Sequence, residues 1–63
     1  MGAIQKEGYT FEVEYSVMLQ KAALHVYQNG EFLQEIPFQF TGQEPDPQQI
    51  EHIVDDFINK KNE

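Results

Sequence analysis

The sequence predicts an α+β fold: a three-stranded antiparallel β-meander, spatial order 1-2-3, with one C-terminal α-helix packed on one face (β-β-β-α). Three observations carry this expectation. Residues 9–17 alternate apolar and polar side chains with a period of two. Gln28-Asn29-Gly30 separates two further extended runs, which is a hairpin signal. Beyond Asp46-Pro47, apolar residues recur at helical spacing as far as Ile58.

Residues 1–8 are short, mixed and Gly-flanked, and read as a flexible tail ahead of a single domain spanning 1–63. Tyr9, Phe11, Val13, Tyr15 and Val17 then share one strand face, with Thr10, Glu12, Glu14 and Ser16 on the other. The next link, Met18 to Lys21, contains none of the usual turn residues. Pairing Val17 with Ala22 keeps the apolar sides together and leaves a loop of up to four residues. Met18 and Leu19 then either fold back onto the core or stay exposed as a contact point.

The second strand covers Ala22 to Tyr27 and the third Glu31 to Phe40. A two-residue Asn29-Gly30 loop would set Leu24 and Val26 on the opposite face from Phe32, Ile36, Phe38 and Phe40. A three-residue loop, Gln28 to Gly30, instead sets Val26 opposite Phe32 and Ala22 opposite Ile36. Parity therefore favours the longer loop, a type I turn with Gly30 in a left-handed bulge. Pro37 cannot donate to a ladder, so the third strand is expected at an edge with Pro37 outward. The first strand forms the other edge, open to pairing with another chain.

Asp46 is a good N-cap, Pro47 fits the first helical position, and Gln49 completes a capping box. Ile50, Ile53, Val54, Phe57 and Ile58 form one apolar stripe; Glu51, His52, Asp55, Asp56 and Asn59 take the other side. Lys60 and Lys61 suit the negative end of the helix dipole.

Composition narrows function by exclusion. With 63 residues, the chain buries only about 60% of the surface it exposes when unfolded, which leaves little room for a large substrate cleft. There is no cysteine, hence no disulfide, thiolate nucleophile or cysteine-bound metal, and a cytoplasmic location fits. No leader pattern or membrane-spanning apolar run is present, and Lys6 stands where a myristoylation motif wants Ser or Thr. Net charge is −7 with no arginine, which disfavours direct binding of nucleic acid and of anionic membranes. No cofactor is expected.

Few groups have chemical potential. Ser16 is the sole serine and has no glycine elbow around it. His25 is expected beside Glu14, with Leu33 on its other side, a pair that is an acid/base couple, half a metal site, or an ordinary exposed histidine next to a charge. His52, Asp55 and Asp56 share a helix face at i, i+3, i+4, either as weak metal ligands or as a solvated surface. The isolated glycines at 2, 8, 30 and 42 trace no phosphate loop. Most aromatic residues (Tyr9, Phe11, Tyr15, Phe32, Phe38, Phe40 and Phe57) fall on inward positions.

Tyr27 differs. By parity it joins Ala23, His25, Leu33 and Pro37 on the face the helix leaves open, ringed by Glu12, Glu14 and Glu35. An apolar centre with an acidic rim has the make-up of a modest interface.

The runs Gly8-Tyr9-Thr10-Phe11-Glu12-Val13-Glu14-Tyr15-Ser16-Val17, Val26-Tyr27-Gln28-Asn29-Gly30, Ile36-Pro37-Phe38 and Phe40-Thr41-Gly42 resemble those of short uncharacterised proteins of Bacillus-type bacteria. The resemblance implies a bacterial cytoplasmic protein of unknown function and adds no site residues. Three functions compete. One is a non-enzymatic interaction module that uses the open sheet face or an edge strand to bind an unknown protein or a second copy. Another is an acidic mimic of nucleic acid, with Glu12, Glu14, Glu35, Asp55 and Asp56 in place of phosphates. The third is a small metal-dependent or acid/base enzyme centred on His25 and Glu14.

Overall fold

The computed structural model describes residues 3–62. Four strands, β1 (Ile4–Lys6), β2 (Tyr9–Ser16), β3 (Lys21–Gln28) and β4 (Glu31–Gln39), precede one helix, α1 (Pro47–Lys61). They form a single antiparallel sheet of order β1-β2-β3-β4. The expected meander of β2, β3 and β4 is present, and the sheet has four strands where the sequence suggested three. The fourth comes from the stretch read as a tail. Glu7 (φ 55°) and Gly8 (φ 85°) make a two-residue turn with both residues left-handed, and this folds Ile4–Lys6 back onto Tyr9–Phe11. The first two residues lie outside the described ones. As β1 pairs with only three residues, the outer edge of β2 beyond Phe11 is left unpaired among the described residues.

Between β2 and β3, Ser16 pairs with Lys21 and Tyr15 with Ala22, so the four-residue loop is Val17 to Gln20, and the register differs by two from the expected Val17–Ala22 pairing. The parity survives: Phe11, Val13 and Tyr15 stand opposite Val26, Leu24 and Ala22. Gln20 has φ 55°, and its side chain ties this loop to the segment after β4. Its Nε2 donates to Val17 O (2.7 Å) and Gly42 O (2.9 Å), while its Oε1 accepts from Gly42 N (2.8 Å). Met18 and Leu19 do not fold back; they are 91% and 66% exposed.

The β3–β4 turn overturns the three-residue loop. Gln28 pairs with Glu31, and Asn29 (φ 53°) and Gly30 (φ 79°) are both left-handed, which is a type I′ turn whose twist matches the strands it joins. The parity conflict is resolved inside β4. Tyr27 faces Phe32 but Val26 faces Gln34, so Leu33 is the extra residue of a β-bulge. Beyond it Leu24 meets Ile36 and Ala22 meets Phe38, so these apolar residues share the core side while Phe32 does not.

Helix α1 begins as the sequence predicts. Asp46 is the N-cap, its Oδ1 accepting from Gln48 N at 2.9 Å, with Pro47 in the first turn and Lys60 and Lys61 in the last. The capping box is not formed. Gln49 instead donates from Nε2 to Gln39 O at 2.7 Å, which fastens the start of α1 to the end of β4. The core lies between α1 and one sheet face, where Phe11, Leu24 and Val26 (each 0% exposed) meet Val54, Phe57 and Ile58. Phe57 packs edge-on against Tyr9 and Phe11, with ring centroids 5.1 and 5.7 Å apart.

Candidate functional site

Strand alternation divides the sheet into two sides. The side away from the core is built from Glu12 and Glu14 of β2, from Lys21, Ala23, His25 and Tyr27 of β3, and from Phe32, Glu35 and Pro37 of β4, read off the pairs Glu12–His25, Glu14–Ala23, Tyr27–Phe32, His25–Glu35 and Ala23–Pro37. No second helix is present among the described residues to cover it.

On the edge strand β4, next to the β3–β4 turn, stands Phe32, 54% exposed and beside two β3 rings. Its centroid is 6.0 Å from His25 and 5.7 Å from Tyr27, both in tilted, near-edge geometry. The sequence placed Phe32 in the core, and the type I′ turn is what moves it out. The signal was there to find: Asn-Gly is the strongest two-residue hairpin dipeptide.

His25 has a different carboxylate partner from the expected one. The β2–β3 register sets Glu12 directly across from it and Glu14 on the diagonal. Glu35, rather than Leu33, is its β4 neighbour. His25 Nε2 lies 2.8 Å from Glu35 Oε2, a hydrogen bond with the ring nitrogen as donor, and Nδ1 is 3.9 Å from Glu14 Oε2. The imidazole is only 18% exposed, whereas the Glu14 and Glu35 side chains are 70% and 54% exposed. The ring is thus pinned beneath solvated carboxylates, which holds it edge-on to Phe32. Leu33, the bulge residue, is 38% exposed, and Pro37 is exposed opposite half-buried Ala23.

The other candidates separate from this face. Ser16 Oγ accepts from Leu19 N at 3.2 Å, so it helps close the β2–β3 loop. Asp55 is held by Lys6, whose Nζ lies 2.7 Å from Oδ1. That hydrogen bond and the Asp55 charge raise the Lys6 pKa above its ordinary 10.5. Among the described residues no group of three His, Asp or Glu side chains is arranged to hold a metal ion, so His52, Asp55 and Asp56 make no such cluster. The five acidic residues considered in place of phosphates fall into two sets: Glu12, Glu14 and Glu35 on the open side, Asp55 and Asp56 on α1. A shallow concavity is lined by Leu19, Gln20, Gln39, Phe40, Thr41, Asp46 and Gln49. Its one carboxylate, Asp46, is already engaged as the N-cap, and Gln49 is bonded to Gln39.

No helix of the described residues is long and apolar enough to cross a membrane. No solved structure matches the chain. The chain is 51% identical over 57 residues, 90% of each sequence, to the uncharacterised protein YbxH of Bacillus subtilis strain 168. The model of a family of unknown function, DUF5370, matches residues 1–63. With a match of that extent and a relative that similar, the chain belongs to the DUF5370 family, whose function is unknown.

Proposed function

We propose that the protein is a small, non-enzymatic interaction module of the bacterial cytoplasm that binds another protein through the open face of its sheet. The observation that carries this reading is Phe32, a half-exposed aromatic ring seated beside His25 and Tyr27 in a patch edged by Glu12, Glu14 and Glu35. A large apolar side chain displayed on a flat surface loses free energy to water, and an apolar centre with a charged rim is how protein interfaces recover it. The face suits this better than the β4 edge, which Pro37 and the Leu33 bulge blunt against strand addition.

The test is a pull-down from lysate of the native host with the wild type and a Tyr27→Ala, Phe32→Ala variant, washed at low and high salt. Both proteins are first checked for equal cooperative melting. A specific protein captured by the wild type and lost by the variant is the expected result. A protein retained by the variant and stripped only by salt would replace this reading with acidic mimicry, and capture unaffected by either change would move the binding surface elsewhere.

A further inference from the structure

We propose that the open face receives a lysine- or arginine-bearing segment of a partner protein, its cation over the Phe32 and Tyr27 rings and its charge shared by Glu12, Glu14 and Glu35. This rests on the interaction reading above and names the chemistry of the partner. Two kinds of group that attract a cation meet on the same surface. Phe32 and Tyr27 lie 5.7 Å apart at 68°, so their rings are inclined to each other beside one position, and a cation within about 6 Å of a ring face is attracted by its quadrupole. The carboxylates gather about His25, whose ring centroid lies 6.0 Å from that of Phe32. Glu12 and Glu35 flank His25 in the ladder, and Glu14 lies diagonally from it.

These carboxylates have spare capacity. Glu35 gives one oxygen to His25 and remains 54% exposed. Glu14 makes only the 3.9 Å approach to the same ring and is 70% exposed. Glu12 has no ion pair among the described residues. Lys21, the one lysine on this side, stands at the far end of the ladder opposite Ser16 and Gln39, and Lys6 is engaged with Asp55 across the core side. Lys60 and Lys61 are in the last turn of α1, so no lysine of the described residues is paired with the glutamates beside the aromatic rings.

The same charges argue against a second copy as the occupant. A two-fold face-to-face dimer presents one patch to itself, which would set three glutamates against three with a single lysine from each chain. Like charges facing one another across an interface are costly, whereas a basic partner meets the rim with opposite sign.

The experiment is an NMR titration of the full-length ¹⁵N-labelled protein with two decapeptides, one alternating Lys with Gly and one alternating Glu with Gly. The Lys peptide is expected to shift the amides of Glu12, Glu14, Tyr27, Phe32 and Glu35, and the Glu peptide to leave them in place. Phe32→Ala, which keeps every charge, should weaken binding by about threefold, the scale of one exposed cation–ring contact. A Glu14→Gln, Glu35→Gln variant, which keeps both rings, should weaken it and flatten its salt dependence. Shifts of equal size at Glu51 and Asp56 of α1, or unchanged affinity for Phe32→Ala, would show attraction to net charge alone and overturn the proposal. If that happens while Tyr27→Ala, Phe32→Ala still loses a captured protein in the pull-down, the interaction reading stands and only the basic partner falls. If the pull-down also shows no dependence on the two rings, both fall.

Discussion

Single residues on this chain are governed by backbone sign as much as by burial. Gly30 has φ 79°, a region where a Cβ costs about 1–2 kcal/mol, and no atom lies close enough to a built Cβ to add a clash. Gly30→Ala should accordingly destabilise by about 1 kcal/mol through the backbone alone, read as a lower urea midpoint with unchanged slope. A superimposable unfolding curve would remove the type I′ assignment. Lys6 supports a second prediction. Its pKa is raised in the folded protein by Asp55, so the stabilisation is fully present below the unfolded value of 10.5 and is lost as pH rises through the higher folded value. The difference in urea midpoint between wild type and Asp55→Asn should be constant from pH 7 to 9 and shrink above pH 10.5. A difference that persists undiminished at high pH would assign it to something other than this ion pair. The position of Phe32 belongs to this scale too: one residue's displacement, from the three-residue loop to the two-residue turn, moves a phenylalanine from the core side to the open side.

Elements show where local signals suffice and where they compete. The helix start was legible because Asp46 and Pro47 act on their immediate neighbours, and Asp46→Ala should lower stability by about 1 kcal/mol in chemical denaturation. Retained stability in that variant would mean that the Gln49–Gln39 tie, rather than the cap, secures the end of α1. Gln49 shows the limit: the capping box was the local option, and a carbonyl at the end of β4, ten residues earlier, takes the side chain. The β2 and β3 strands were legible from alternation, yet their register slid by two, which alternation does not resolve because it preserves facing. β1 escaped notice because three residues are too few to show a period, although Glu7-Gly8 ahead of a strong strand is a two-residue turn in left-handed conformation. The expected G1 bulge after Gly30 gave way to a tight turn plus a bulge at Leu33, which meets the same parity demand at a different place.

The whole molecule rests on one small core, so its stability is concentrated. At roughly 0.05–0.15 kcal/mol per residue a chain of this length has about 3–9 kcal/mol to lose. Leu24 is fully buried at the centre of the cluster, and Leu24→Ala should cost about 2–5 kcal/mol, enough to leave a measurable unfolded fraction at 25 °C by circular dichroism. Full retention of structure would place the stabilising contacts outside the cluster of Phe11, Leu24, Val26, Val54, Phe57 and Ile58. The candidate site was partly legible at this scale: Ala23, His25, Tyr27, Pro37 and the three glutamates follow from alternation once a single helix is known to cover one side. The sequence by itself determined the α+β class, the meander, the helix and its cap, and which side of β2 and of β3 faces inward, because these depend on periodicity and nearest-neighbour hydrogen bonding. Only the tertiary structure decided the fourth strand, the strand registers, the Glu35 partner of His25 and the outward position of Phe32. Each of these depends on how residues distant in sequence line up across a turn, which the periodicity within one strand does not report.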